Sequence, residues 1–196
     1  MPLLRELPLT QIKQSGAEKL SVQLKREWPE VTAGLYVFFF INTPALNGDG
    51  DIRDNNKKRE KPVVLAGGAS VKPGKFEQSL WQRIHNYEKH LHVLEHDQSQ
   101  RWRFRESIEF GWVFDLSGKA VEGKPAALVF EKFWVAAANK FMKDKKLLVD
   151  FQRFRAEWRH VSLALTTDEA LRNEFREYME ACAKTILKFV AIANRL

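Results

Sequence analysis

Residues 34–41 read Gly34-Leu35-Tyr36-Val37-Phe38-Phe39-Phe40-Ile41, and this run decides the fold. An uninterrupted stretch of aromatic and aliphatic residues of this length suits a strand buried on both faces, because alternate side chains on either side must meet apolar surroundings. A polar loop over 42–61 follows, with mixed charge and several turn-forming residues. Lys61–Gly68 (KPVVLAGG) then reads as a second strand that ends in glycines. Because only a loop separates them, the two strands are expected to pair as an antiparallel hairpin.

Outward from this hairpin the pattern is mostly helical. Ser15–Trp28 reads as a short amphipathic helix with Leu20 and Leu24 one turn apart and Pro29 just beyond its end. In Phe76–Leu94, the residues Phe76, Leu80, Ile84, Tyr87, Leu91 and Leu94 recur at helical spacing. Phe110–Leu116 reads as a third strand closed by the turn at Ser117-Gly118, and Pro125–Phe141 as a second strong helix. Glu157–Leu165 suits a further strand, and Thr167–Leu196 a long helix capped by Thr167. The expected class is α+β, with a small mixed or antiparallel central sheet flanked by helices. One domain is expected over 1–196, with a core at 34–139, an N-terminal helical addition at 1–33 and a C-terminal strand and long helix at 150–196.

Composition narrows the functions. The chain has 196 residues, 44% of them hydrophobic, which is enough to build a core and too apolar for general disorder. A formal net charge of +7 fits a polyanionic partner, nucleic acid first, although plain solubility gives the same sign. No apolar run approaches the length of a membrane span, and the N-terminus lacks the features of a signal peptide, so no membrane partner is expected. The single cysteine, Cys182, excludes a disulfide framework and a Cys-rich zinc site, and a cytoplasmic location is expected.

Within 34–139 an ordered set of short motifs stands on the expected element types. Gly34-Leu35-Tyr36 opens the first strand and Leu65-Ala66-Gly67 closes the second. Arg83 and Tyr87 follow within SLWQRIHNYEKHL, then Glu131 within ALVFEKFW, and finally Asn139. In this order the set resembles the core of the GIY-YIG nucleases, over rather more than half of the chain. The resemblance implies a metal-dependent endonuclease that hydrolyses phosphodiester bonds in nucleic acid, expected to be double-stranded DNA, of a restriction-like kind. It further implies Mg²⁺ or another divalent cation held by Glu131, and Tyr36, Arg83, Tyr87 and Glu131 as the catalytic set, with Gly34, Gly67 and Asn139 in support. A restriction-like enzyme that reads a palindrome would work as a homodimer.

Each residue type suits its implied role. Arg83 is always charged and presents paired donors to a phosphoryl transition state. Glu131 supplies a hard oxygen ligand to the cation, and Tyr36 would stand beside the attacking water. At about 100° per residue, Arg83 and Tyr87 share one helix face. Glu131 falls inside the apolar arc of its helix, where a carboxylate needs a cation, a hydrogen-bond donor or a metal in the folded core. Leu65 stands where the family carries its second Tyr, so one hydroxyl is absent, and Lys72 and Lys75 are the candidates to stand in for it. A catalytically degenerate nucleic-acid-binding module on the same fold, and a protein-interaction domain acting through the C-terminal helix, are the alternatives.

Cations interleave with aromatic residues at Arg101, Arg103 and Arg105 and again at Arg153 and Arg155, an alternation that suits either a plain amphipathic strand or contact with phosphates and bases. With Lys57, Lys58, Arg59 and the lysines of 140–146 they form the expected nucleic-acid surface. Lys72-Pro73-Gly74-Lys75 is not a P-loop, because Ala69 and Phe76 occupy its first Gly and its Ser/Thr positions. The histidines at 85, 90, 92 and 96 read as solvated side chains rather than as a zinc site.

Overall fold

A computed structural model of the chain describes residues 2–7, 20–40, 63–70, 79–90, 108–145, 159–162 and 168–195. The apolar run forms β2, Gly34–Phe40, and the second strand is β3, Val63–Ala69. They pair antiparallel, with Tyr36 opposite Gly67 and Phe38 opposite Leu65. On the other side of β2 lies β4, Ile108–Asp115, with Tyr36 opposite Val113. Short strands complete the sheet, β1 (Leu4–Glu6) on β4 and β7 (Arg159–Ser162) on β3, both antiparallel. The order is β1-β4-β2-β3-β7, which puts the most apolar strand at the centre. Between β4 and the following helix, β5 (Ala120–Val121) and β6 (Lys124–Pro125) make a separate small hairpin turning at Glu122 and Gly123.

Four helices are described. They are α1 (Leu20–Glu27), α2 (Leu80–His90), α3 (Ala126–Asp144) and α4 (Glu169–Ala193). α1 and α2 pack on each other and bury Leu24, Leu80 and Ile84. α3 lies across β3 and against α4. Together they cover the sheet face that carries Leu35, Val37, Phe39, Trp112 and Phe114. There the Phe39 ring meets Phe175 edge-on at 5.7 Å, and Phe114 lies 6.1 Å from Trp134. The opposite face is covered too, since Tyr36, Phe38 and Val113 are fully buried on it.

The α+β class, the antiparallel hairpin and the helix-flanked sheet are therefore as the sequence implies. Two local expectations change. The N-terminal segment is not purely a helical addition, because Leu4–Glu6 is an edge strand with Leu4 buried; three residues are too few for a periodic signal. The cap of α4 is Asp168 and not Thr167, its side chain accepting a hydrogen bond from the Leu171 amide at 3.0 Å. Among the described residues no helix is long and apolar enough to cross a membrane.

Candidate active site

The last residues of β3 bring the candidate residues together. In an antiparallel strand the N–H and C=O of one residue point to the same side, and the side alternates along the chain. Gly68 therefore faces outward like Val64 and Ala66, away from β2. The described pairing with β7 runs only as far as Ala66 opposite Arg159. At Gly68 side chains take the place of a neighbouring strand. Its N–H donates to Glu131 Oε1 at 3.0 Å, and its carbonyl accepts from Arg83 Nη2 at 3.4 Å. The same Arg83 nitrogen stands 3.6 Å from Glu131 Oε1, which closes a triangle of carboxylate, guanidinium and one peptide unit.

Two helices deliver these charges for different reasons. Glu131 lies on α3 between buried neighbours, one turn after Ala127 and one turn before Val135. Helical spacing thus aims it at the sheet rather than at solvent. Arg83 comes from the first turn of α2, where the Leu80 amide donates to the Thr32 carbonyl and ties the start of the helix to the chain entering β2. Their side chains are 16% and 25% exposed for Arg83 and Glu131 respectively, so the pair is sheltered yet reachable. Both contacts of Glu131 fall on Oε1. Among the described residues Oε2 has no hydrogen-bond partner.

Tyr36 reaches the same stretch of β3 from the other face. Its ring lies over Gly67, with the hydroxyl 2.5 Å from where a Cβ on Gly67 would stand, and it stacks on Phe38 at 4.8 Å. The side chain is 0% exposed. Its place is therefore inside the core, in contrast to the expected position beside an attacking water. Gly34, at the start of β2, lies two residues from Tyr36 and opposite Ala69. Tyr87 lies one turn after Arg83 on α2, with its side chain outside the described residues. Asn139 shares α3 with Glu131 but is eight residues on, about 12 Å along the axis and about 80° around it. That separation keeps it from sharing an ion with Glu131. Lys57, Lys58, Arg59, Lys72, Lys75, Arg101, Arg103, Arg105, Arg153 and Arg155 lie outside the described residues.

Two contributors are not among the motif residues. Gly68 supplies the backbone groups that gather Glu131 and Arg83; the signal for it was the doubled glycine at the end of a strand. Trp134, fully buried on α3, donates from Nε1 to the Tyr36 carbonyl at 3.1 Å and so ties α3 to β2. Its sequence signal is an apolar position within the expected helix Pro125–Phe141. Chemically, the cluster offers one carboxylate oxygen to a cation and a guanidinium beside it for an anion. No group of three or more His, Cys, Asp or Glu side chains gathers among the described residues. Among the described residues a cation there would meet one carboxylate, Glu131, leaving room for water and phosphate oxygens, ligands that suit Mg²⁺. Comparison with protein-family models, curated proteins and solved structures yields no match.

Proposed function

We propose that the protein is a metal-dependent endonuclease of the GIY-YIG type that hydrolyses phosphodiester bonds in double-stranded DNA, working in the cytoplasm as a homodimer. The observation that carries this reading is the convergence of Glu131 and Arg83 on Gly68, although the three residues come from separate elements. Glu131 Oε2 would hold the divalent cation, which when bound supplies a Lewis acid for the phosphoryl and leaving oxygens. Arg83 would face the nonbridging oxygens, where negative charge grows as the water oxygen bonds to phosphorus and the P–O bond to the leaving group breaks. Buried Tyr36 would hold β3 in place through its packing on Gly67. The proton on the attacking water would pass to bulk solvent, with Lys72 or Lys75 as the group standing near that water.

The test is cleavage of supercoiled and linear duplex DNA across Mg²⁺, Mn²⁺ and Ca²⁺. Glu131→Ala and Arg83→Ala are each expected to lower the rate by at least about 100-fold while the fold is kept. Absence of cleavage of any DNA or RNA by the parent protein in every metal would sink the reading. The burial of Tyr36 and the Arg83–Glu131 contact favour a second reading, a non-cleaving nucleic-acid-binding module. That reading expects binding that weakens steeply with salt and is indifferent to Glu131→Ala.

A further inference from the structure

We propose that Gly68 is a positioning residue for Glu131: its outward N–H fixes Oε1, so that Oε2 is the oxygen presented to a divalent cation. This rests on the reading of Glu131 as the cation's ligand. A carboxylate on a helix can rotate about its terminal bond and offer either oxygen. Here the 3.0 Å bond from the Gly68 amide engages Oε1, and Arg83 stands on that same oxygen. Oε2 is left without a partner among the described residues. The Gly68 carbonyl meets Arg83 as well, so a single peptide unit sets the spacing between the carboxylate and the guanidinium.

Only glycine allows the approach. A Cβ on Gly68 would stand 2.8 Å from the Ala127 carbonyl oxygen, 2.8 Å from Leu35 Cδ2 and 3.2 Å from Glu131 Cβ. The Ala127 oxygen is helix backbone and cannot swing aside as a side-chain tip would. It belongs to the turn of α3 that precedes Glu131, so a side chain at 68 would lift the carboxylate away from the amide that holds it. Gly67, one residue earlier, faces the other side of the sheet and meets Tyr36. The doubled glycine thus serves two separate contacts, and only the one at 68 reaches the charged pair.

The experiment measures Mn²⁺ binding to the full chain by electron paramagnetic resonance, without nucleic acid and without reference to activity. The parent is expected to bind Mn²⁺ and Glu131→Ala to lose it. Folded Gly68→Ala is expected to bind about 10- to 100-fold more weakly, as when a residue that orients a metal ligand is removed. Should Glu131→Ala bind as the parent does, the ligand reading falls and this proposal with it. Should Glu131→Ala lose the ion while folded Gly68→Ala keeps parental affinity, the positioning role alone is overturned. Because Gly68→Ala can fail to fold, the Gly68 amide resonance of the ¹⁵N-labelled parent gives an independent reading. It is expected to shift saturably with Mg²⁺ and to move upfield in Glu131→Gln, while that of Gly118, in an open turn, stays still. A Gly68 resonance that ignores both changes overturns the proposal.

Discussion

The centre of the sheet and the Gly68 end of β3 are built on opposite terms. At the centre Phe39 stacks on Phe110 at 4.1 Å and meets Trp112 and Phe175 at 5.3 and 5.7 Å. Every strand there has a strand beside it, and burial of apolar area does the stabilising. At the Gly68 end the side chains are reduced to hydrogen, an outward peptide unit has no described strand beside it, and two charged side chains from different helices finish it. The contrast separates apolar packing from the pairing of polar groups within one strand's length. A core of rings holds the sheet, and the place where backbone groups must be satisfied by side chains is where a ligand can compete for them.

The largest expected effect tests the centre. Trp134 is fully buried and also bonds the Tyr36 carbonyl, so Trp134→Ala removes a large ring and one hydrogen bond. It should lower stability by about 3–5 kcal/mol, as core truncations of this size do, measured by urea unfolding. Glu131→Ala tests the other region. It leaves the Gly68 amide without its described acceptor and removes the Arg83–Glu131 contact, a loss of about 1–3 kcal/mol. Unfolding that ranks Glu131→Ala as costly as Trp134→Ala would erase the distinction and make the charged pair a structural element in its own right.

That distinction explains what the sequence disclosed. The centre was legible because β2 is apolar on both faces and because α3 and α4 repeat apolar residues at helical spacing, so class and pairing follow from local pattern. The Gly34, Tyr36, Arg83 and Glu131 positions were legible only as an ordered set of letters. Which face each one occupies was not, since Tyr36 points away from Glu131 only once the register opposite Gly67 is known. Gly68 was hidden for a related reason: its contribution is a peptide N–H and C=O, and no residue letter encodes which edge of a strand those groups face. Leu4–Glu6 was hidden because a three-residue strand is specified by its partner β4 and carries no period of its own.

The smallest expected effect sharpens the comparison on the core side, where burial is the leading influence on two ionisable groups. Burial pushes the Cys182 thiol on α4 up from its ordinary value of 9.0. Burial does the same, first among its causes, to the neighbouring Tyr178 hydroxyl, with the Cys182 thiolate adding to the rise. Both groups are acids whose neutral form the fold prefers, so the folded chain keeps protons that the unfolded chain gives up. Their contribution to stability is complete below the unfolded thiol value, about 8.5–9, and is lost as pH rises beyond it. Melting temperatures of the parent should therefore fall between pH 9 and 11 more than those of Cys182→Ala, whose curve should stay flat through the thiol's range. Tyr178→Phe should flatten the part above about pH 10, where the phenol titrates. Identical slopes for the parent and both variants would mean that α4 opens before these groups ionise, and that its inner side belongs to a less stable layer than the aromatic centre it covers.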